Sequence, residues 1–144
     1  MKRTLVVALA LVLAATLCWA VAGTVTTTEN THRSVKKVVF AWTSGTLAES
    51  GTAAATTTQA YDGQVIGLTT IPGTGGDAPS LNYDVTVADA DGHDVLIGAG
   101  LNRSDTATEH VASASLAGVA GSTLTLSVSG AGDANKGTVI VFIR

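Results

Sequence analysis

The chain has 144 residues, of which 13% are charged and 4% aromatic, and its formal net charge is −3. That length allows one domain with a real hydrophobic core plus an extension. An apolar fraction of 46% excludes an intrinsically disordered chain, and the acidic balance offers no basic field to a phosphate backbone, so no nucleic-acid partner is expected.

Residues 1–22 read as a hydrophobic helix of the export-signal kind. Lys2 and Arg3 give a positive start, residues 5–17 are apolar except for Thr16, and Ala20-Val21-Ala22 offers a small-residue cleavage site before Gly23. The alternative is a retained membrane anchor, because the largely apolar run ending at Ala22 is about the minimum for a span. Leu17 stands where a lipoprotein signal wants a small residue, which argues against lipidation of Cys18. Cys18 is the one cysteine, so a cleaved product has no thiol for a disulfide, a metal or a nucleophile. Cleavage removes two of the eight basic residues and none of the eleven acidic ones, leaving a net charge of −5. The expected location is secreted, periplasmic or on the cell surface. A virion, or a membrane if residues 1–22 stay, is the alternative.

Residues 23–34 are polar and Thr-rich and read as a linker, with a loose edge strand as the other possibility. Residues 36–42, KKVVFAW, are rich in β-branched and aromatic side chains and form the first confident strand. A weak strand over 53–61 follows a glycine-containing loop, Asp62-Gly63 reads as a hairpin turn, and 64–71 is the next strand. Residues 72–79, PGTGGDAP, place two prolines around three glycines and must be a surface loop. Residues 82–100 read as a hairpin closed at Asp91-Gly92. Residues 101–108 are polar and loop-like, and 109–117 is either a helical turn or an irregular strand. Residues 122–129 alternate cleanly, with Leu124, Leu126 and Val128 on one face. Residues 138–143 are apolar on both faces, which predicts a central, covered strand. About seven or eight short strands between Gly, Asn and Asp turns predict an all-β domain over 35–144, an antiparallel β-sandwich of jelly-roll or Ig-like type.

Candidate chemistry is sparse. Asp84, Asp89, Asp91 and Asp94 surround Gly92, and hard cations take oxygen-rich loops, so Asp89 and Asp91 are weak calcium candidates. The register of the hairpin weakens them further. A loop of Ala90-Asp91-Gly92 with left-handed Gly92 pairs Val87 with Val95, Val85 with Ile97 and Tyr83 with Ala99. It also sets Asp89 against His93 and sends Asp84 and Asp94 to the other face. His32, His93 and His110 lack metal-ligand spacing. No G-x-S-x-G elbow and no phosphate loop occurs, so no enzyme activity and no cofactor is expected. Asn102-Arg103-Ser104 matches a glycosylation acceptor. Binding by surface contact remains, and loops are where it would sit. The candidate contact residues are Gly73, Thr74, Gly75, Asp77, Asn102 and Arg103.

Four stretches carry a resemblance: VVFAWTS at 38–44, IPGTGGDAPSLNYDVTVADADGHDVL at 71–96, GLNRS at 100–104, and LTLSVSGAGDANKGTVIVFIR at 124–144. Over residues 35–144 the chain resembles a family of small proteins encoded among the structural genes of tailed bacteriophages and prophages. The resemblance implies a non-enzymatic virion or decoration component whose partners are other protein subunits or further copies of itself. It brings no catalytic residues. An export signal fits poorly with a particle assembled in the cytoplasm, and a secreted or cell-surface module binding envelope glycan is the alternative reading.

Overall fold

A computed structural model describes residues 20–144, and the expected signal or anchor helix lies outside the described residues except for its last three positions. The described chain is mostly antiparallel β. It forms nine strands, β1 (Thr24–His32), β2 (Val35–Thr43), β3 (Ala53–Thr56), β4 (Tyr61–Pro72), β5 (Asp84–Ala88), β6 (Glu109–Ala112), β7 (Gly118–Ser122), β8 (Thr125–Ser129) and β9 (Lys136–Ile143), with three short 3-10 turns. One sheet runs β1-β2-β9-β4-β6, with β7 also paired to β4, and a second runs β3-β8-β5. Among the described residues no helix is long and apolar enough to cross a membrane.

The larger sheet is built by side chains of period two. Val38, Phe40 and Trp42 of β2 and Val139, Val141 and Ile143 of β9 are buried on its inner face. They share one core with Ala53, Val85, Val87, Leu126 and Val128 of the smaller sheet. Each large side chain withdrawn in this way stabilises the fold by about 1.5–3 kcal/mol. The Trp42 and Tyr83 rings meet at 5.6 Å between centroids, tilted by 52°. Trp42 needs room above β9, because a Cβ on Gly137 would lie 2.5 Å from the indole. Trp42 Nε1, Thr70 Oγ1 and Tyr83 Oη are buried without a hydrogen-bond partner.

The central place expected for residues 138–143 is observed, since β9 lies between β2 and β4. Its second apolar row, Ile140 and Phe142, is half-buried on the outward face.

Three expectations are corrected, and one left open is decided. Residues 23–34 take the second of their two expected forms, an edge strand and not a linker, because Thr24–His32 pairs with β2 from Thr24↔Thr43 to His32↔Val35. Its threonines favour extended backbone, and its inward Glu29 is tied to the segment after β3. Glu29 accepts hydrogen bonds from Thr58 N, Thr58 Oγ1, Gln59 N and Tyr61 Oη at 2.6–3.1 Å. Asp62-Gly63 is not a hairpin turn. β4 runs through it with a register shift between Tyr61 and Gly63, Gly63 has φ of 127°, and a Cβ there would strike the Arg144 carbonyl. Residues 109–117 turn out to be both proposed forms in sequence, β6 and then a 3-10 turn over Ser113–Ser115.

The third correction concerns the hairpin over 82–100, which has one strand. The expected register holds at the Ala88↔Asp94 bridge and at the bond from Val95 N to Val87 O, 2.8 Å. Beyond it the pairs Val85–Ile97 and Tyr83–Ala99 do not form. Asp94 Oδ1 accepts from Val87 N (3.2 Å) and Leu96 N (3.1 Å), and Oδ2 from Gly98 N (2.8 Å). A side chain that captures its own following amides competes directly with a strand ladder. The chain therefore descends through turns, Ile97 N to Asp94 O, Ala99 N to Leu96 O and Leu101 N to Gly98 O.

Candidate contact surface

Two loops distant in sequence, 72–79 and 101–108, meet on the surface. Residues 72–79 leave β4 at Pro72, and the Gly73 amide donates to Lys136 O at 2.8 Å. A Cβ on Gly73 would lie 2.5 Å from Asp77 O, so glycine is required to close this loop. Gly75 takes φ of 61° in a 3-10 turn over Gly75–Asp77. Asp77 pairs with Lys136 at 3.0 Å, an exposed ion pair that contributes little by itself. Thr74 and Gly75 are left exposed.

In the second loop, Arg103 is turned inward. Its backbone N donates to Tyr83 O (2.8 Å), its Nε and Nη2 donate to Leu101 O (3.1 and 3.0 Å), and its Nη1 lies 3.8 Å from Glu109. Glu109 in turn accepts from Ser104 N at 2.7 Å. Asn102 is exposed with φ of 53°, and its amide donates to Asp84 Oδ1 at 2.8 Å. The two loops enclose a shallow depression of about 160 Å³ lined by Gly73, Thr74, Gly75, Ala78, Asp105 and Thr106. Of the expected contact residues, only the contiguous Gly73, Thr74 and Gly75 line it. Asp77, Asn102 and Arg103 lie outside the lining and shape the loops. Ala78, Asp105 and Thr106 were missed, because their neighbourhood is created by the sheet and leaves no trace in sequence spacing.

The acidic tip is a separate feature. Asp89 Oδ1 accepts from Asp91 N (3.0 Å) and His93 N (2.8 Å), Oδ2 lies 3.6 Å from His93 Nδ1, and Gly92 is left-handed at φ of 86°. The His93 backbone bond outweighs an opposing effect of burial and, with help from the His93 ring and the Asp91 amide, holds the Asp89 carboxyl below its ordinary pKa. Ligand atoms of Asp89, Asp91 and His93 lie within 4.8 Å of one another. Two carboxylates and an imidazole fall short of the six to eight oxygens calcium takes. Asp84 and Asp94 point to other partners, as the amide bonds above show.

Burial, and after it the Glu109 charge, pushes the Tyr83 hydroxyl up to about 12, while Thr70 and Arg103 pull weakly the other way. Thr70 is a near neighbour without hydrogen-bond geometry, since both hydroxyls remain unpartnered.

No family model, curated protein or solved structure matches the chain. Two further surface features emerge only in three dimensions. Leu81, Ile97 and Leu101 are exposed at 65%, 65% and 41%, and Ile97 sits at φ of 50°. A β-branched residue in that region costs of order 1–3 kcal/mol, and the sequence pattern had placed Ile97 on a buried strand face. The other feature is an open trough on the outward face of the larger sheet, lined by Thr24, Thr26, Thr43, Thr138, Lys136 and neighbouring apolar residues.

Proposed function

We propose that this chain is a non-enzymatic, phage-associated structural protein, a virion or decoration component, whose β domain is a sandwich acting by contact with other protein subunits. The observation that carries the contact reading is the convergence of the 72–79 and 101–108 loops on one depression. Internal hydrogen bonds hold those loops in shape, so little ordering entropy remains to oppose docking. The core shared by two antiparallel sheets supports the sandwich. The resemblance of residues 35–144 to proteins encoded among phage structural genes supports the particle.

Peptides from residues 35–144 should co-purify with particles from an induced host, in constant ratio to a major capsid protein through a density gradient. Particles free of them would sink the assignment. An exported cell-surface module binding envelope glycan is the second reading, favoured by the hydroxyl-lined trough and the export-signal pattern of residues 1–22. Retention on an array of envelope glycans, lost on Thr26→Val with Thr138→Val, would select it.

A further inference from the structure

Two patches of this molecule are complementary in charge, and both expose apolar side chains. The first is the outward face of the larger sheet. Register places Ala41, Val39, Ile140, Phe142 and Ile71 at its centre, with Ile71 37% exposed. The outward positions of β1, β2, β9, β6 and of β4 from Gly67 to Ile71 carry Lys37 and Lys136 and no carboxylate. The second patch is the flank of β5, where residues 89–103 cover the outer edge of the smaller sheet through backbone bonds such as Val85 N to Gly100 O and Val95 N to Val87 O. Residues 89–103 carry Asp89, Asp91 and Asp94 against Arg103 alone, a net of −2. This flank also bears the exposed Ile97 and Leu101.

We infer that a second copy of this chain docks its β5 flank onto the outward face of the larger sheet, giving a head-to-tail assembly. Ile97 and Leu101 enter the apolar centre, and Asp91 meets Lys37 at the rim. Two sheet faces meeting each other would leave Lys37 of each copy without an acidic partner, since the other lysine of the face, Lys136, is already paired with Asp77. Five strands about 4.8 Å apart and about 25 Å long offer about 600 Å² per copy, or about 1,200 Å² in all, the lower end of specific interfaces. Donor and acceptor patches lie on different sides of one molecule, so the contact is heterologous and the assembly can grow. The inference goes beyond the surface-contact reading above, because it uses two patches other than the depression between the 72–79 and 101–108 loops.

The test uses the full chain in two capped forms. Lys37→Glu with Ala41→Glu blocks the sheet face at exposed or half-exposed positions. Ile97→Asn with Asp91→Lys blocks the flank, and asparagine tolerates the left-handed backbone that isoleucine does not. Lys37→Glu alone serves as the sheet-face block if the double variant fails to fold. Sedimentation velocity should show wild-type species growing beyond dimer with concentration, each capped form alone monomeric with affinity reduced at least about 100-fold, and their mixture a dimer that stops there. Three results would overturn it: a monomeric wild type up to about 1 mM, capped forms that associate like wild type, or a mixture that stays monomeric or grows past dimer. Loss of the protein from particles, with this pattern intact, would remove only the phage assignment.

Discussion

The β2-β9-β4 block and the segment bordering β5 are both fixed in place, by opposite means. In the first, backbone pairs with backbone, from Lys36↔Ile143 to Thr43↔Lys136 on one side of β9 and from Val65↔Ile143 to Pro72↔Gly137 on the other. In the second there is almost no ladder, and carboxylates accept the amides instead. Asp89 takes those of Asp91 and His93, Asp94 those of Val87, Leu96 and Gly98, Asp84 that of Asn102, and Glu109 that of Ser104. A stretch with strand-like alternation can thus be diverted by one well-placed Asp. The carboxylate supplies locally what the neighbouring strand would supply at the cost of ordering a longer segment.

This contrast can be broken by mutation. Phe40→Ala should be the most severe change, costing about 3–5 kcal/mol in chemical denaturation, because a fully buried ring is lost from the block held by ladders. Asp94→Ala should cost about 2–3 kcal/mol, since three amides lose a charged acceptor at once. Its signature is local: amide exchange at Val87, Leu96 and Gly98 should accelerate while the β2-β9 amides keep the protection set by global unfolding. An Asp94→Ala protein as stable as wild type, with those amides still slow, would show that the segment is held by apolar packing and not by its carboxylates.

The same contrast explains what could be read from sequence. Residues 36–42, 64–71 and 138–143 announce strands because apolar, β-branched side chains recur where backbone pairing decides the structure. Leu124, Leu126 and Val128 are buried as their alternation predicts. β1 was legible only as the second choice over 23–34 because its inward positions are Val25, Thr27 and Glu29, so that a charged side chain stands where the pattern wants an apolar one. β7 was hidden by its glycines, Gly118 and Gly121. At 95–100 the apolar alternation is present and misleading, since it takes no account of the amides that Asp94 can reach. The Asp89–His93 contact was legible because a short loop fixes its geometry locally, whereas the meeting of residues 73–75 with Asp105 and Thr106 depends on the whole sheet.

Glu29 tests whether β1 belongs to the ladder-held block or to the carboxylate-held kind. Burial raises its pKa, but hydrogen bonds from Tyr61, Thr58 and Gln59 together outweigh burial and leave it lowered from 4.5. A carboxyl whose folded pKa is depressed stabilises the fold above its unfolded value and loses that contribution as pH falls through the folded one. Glu29→Gln should therefore cost about 1 kcal/mol at pH 7. It should also flatten the acid limb of the stability curve below pH 4.5. If the variant kept the wild-type acid limb, strand pairing alone would be holding β1, with no help from Glu29.

The smallest effect is expected at Asp91. It sits beside Asp89 in sequence and charge, yet its exposed side chain accepts none of the loop's amide bonds, which go to Asp89 Oδ1. Asp91→Ala should change stability by less than about 0.5 kcal/mol. Calcium at about 10 mM, above the weakest protein sites, should leave Tm unmoved in both proteins. For a cation to bind here it would have to draw on Asp89 Oδ1, already committed to two amides, and on a loop whose left-handed Gly92 is set by those bonds. A rise in Tm with calcium that disappears in Asp91→Ala would mean that the cation outcompetes the amides, and the tip would then be a site and not a turn.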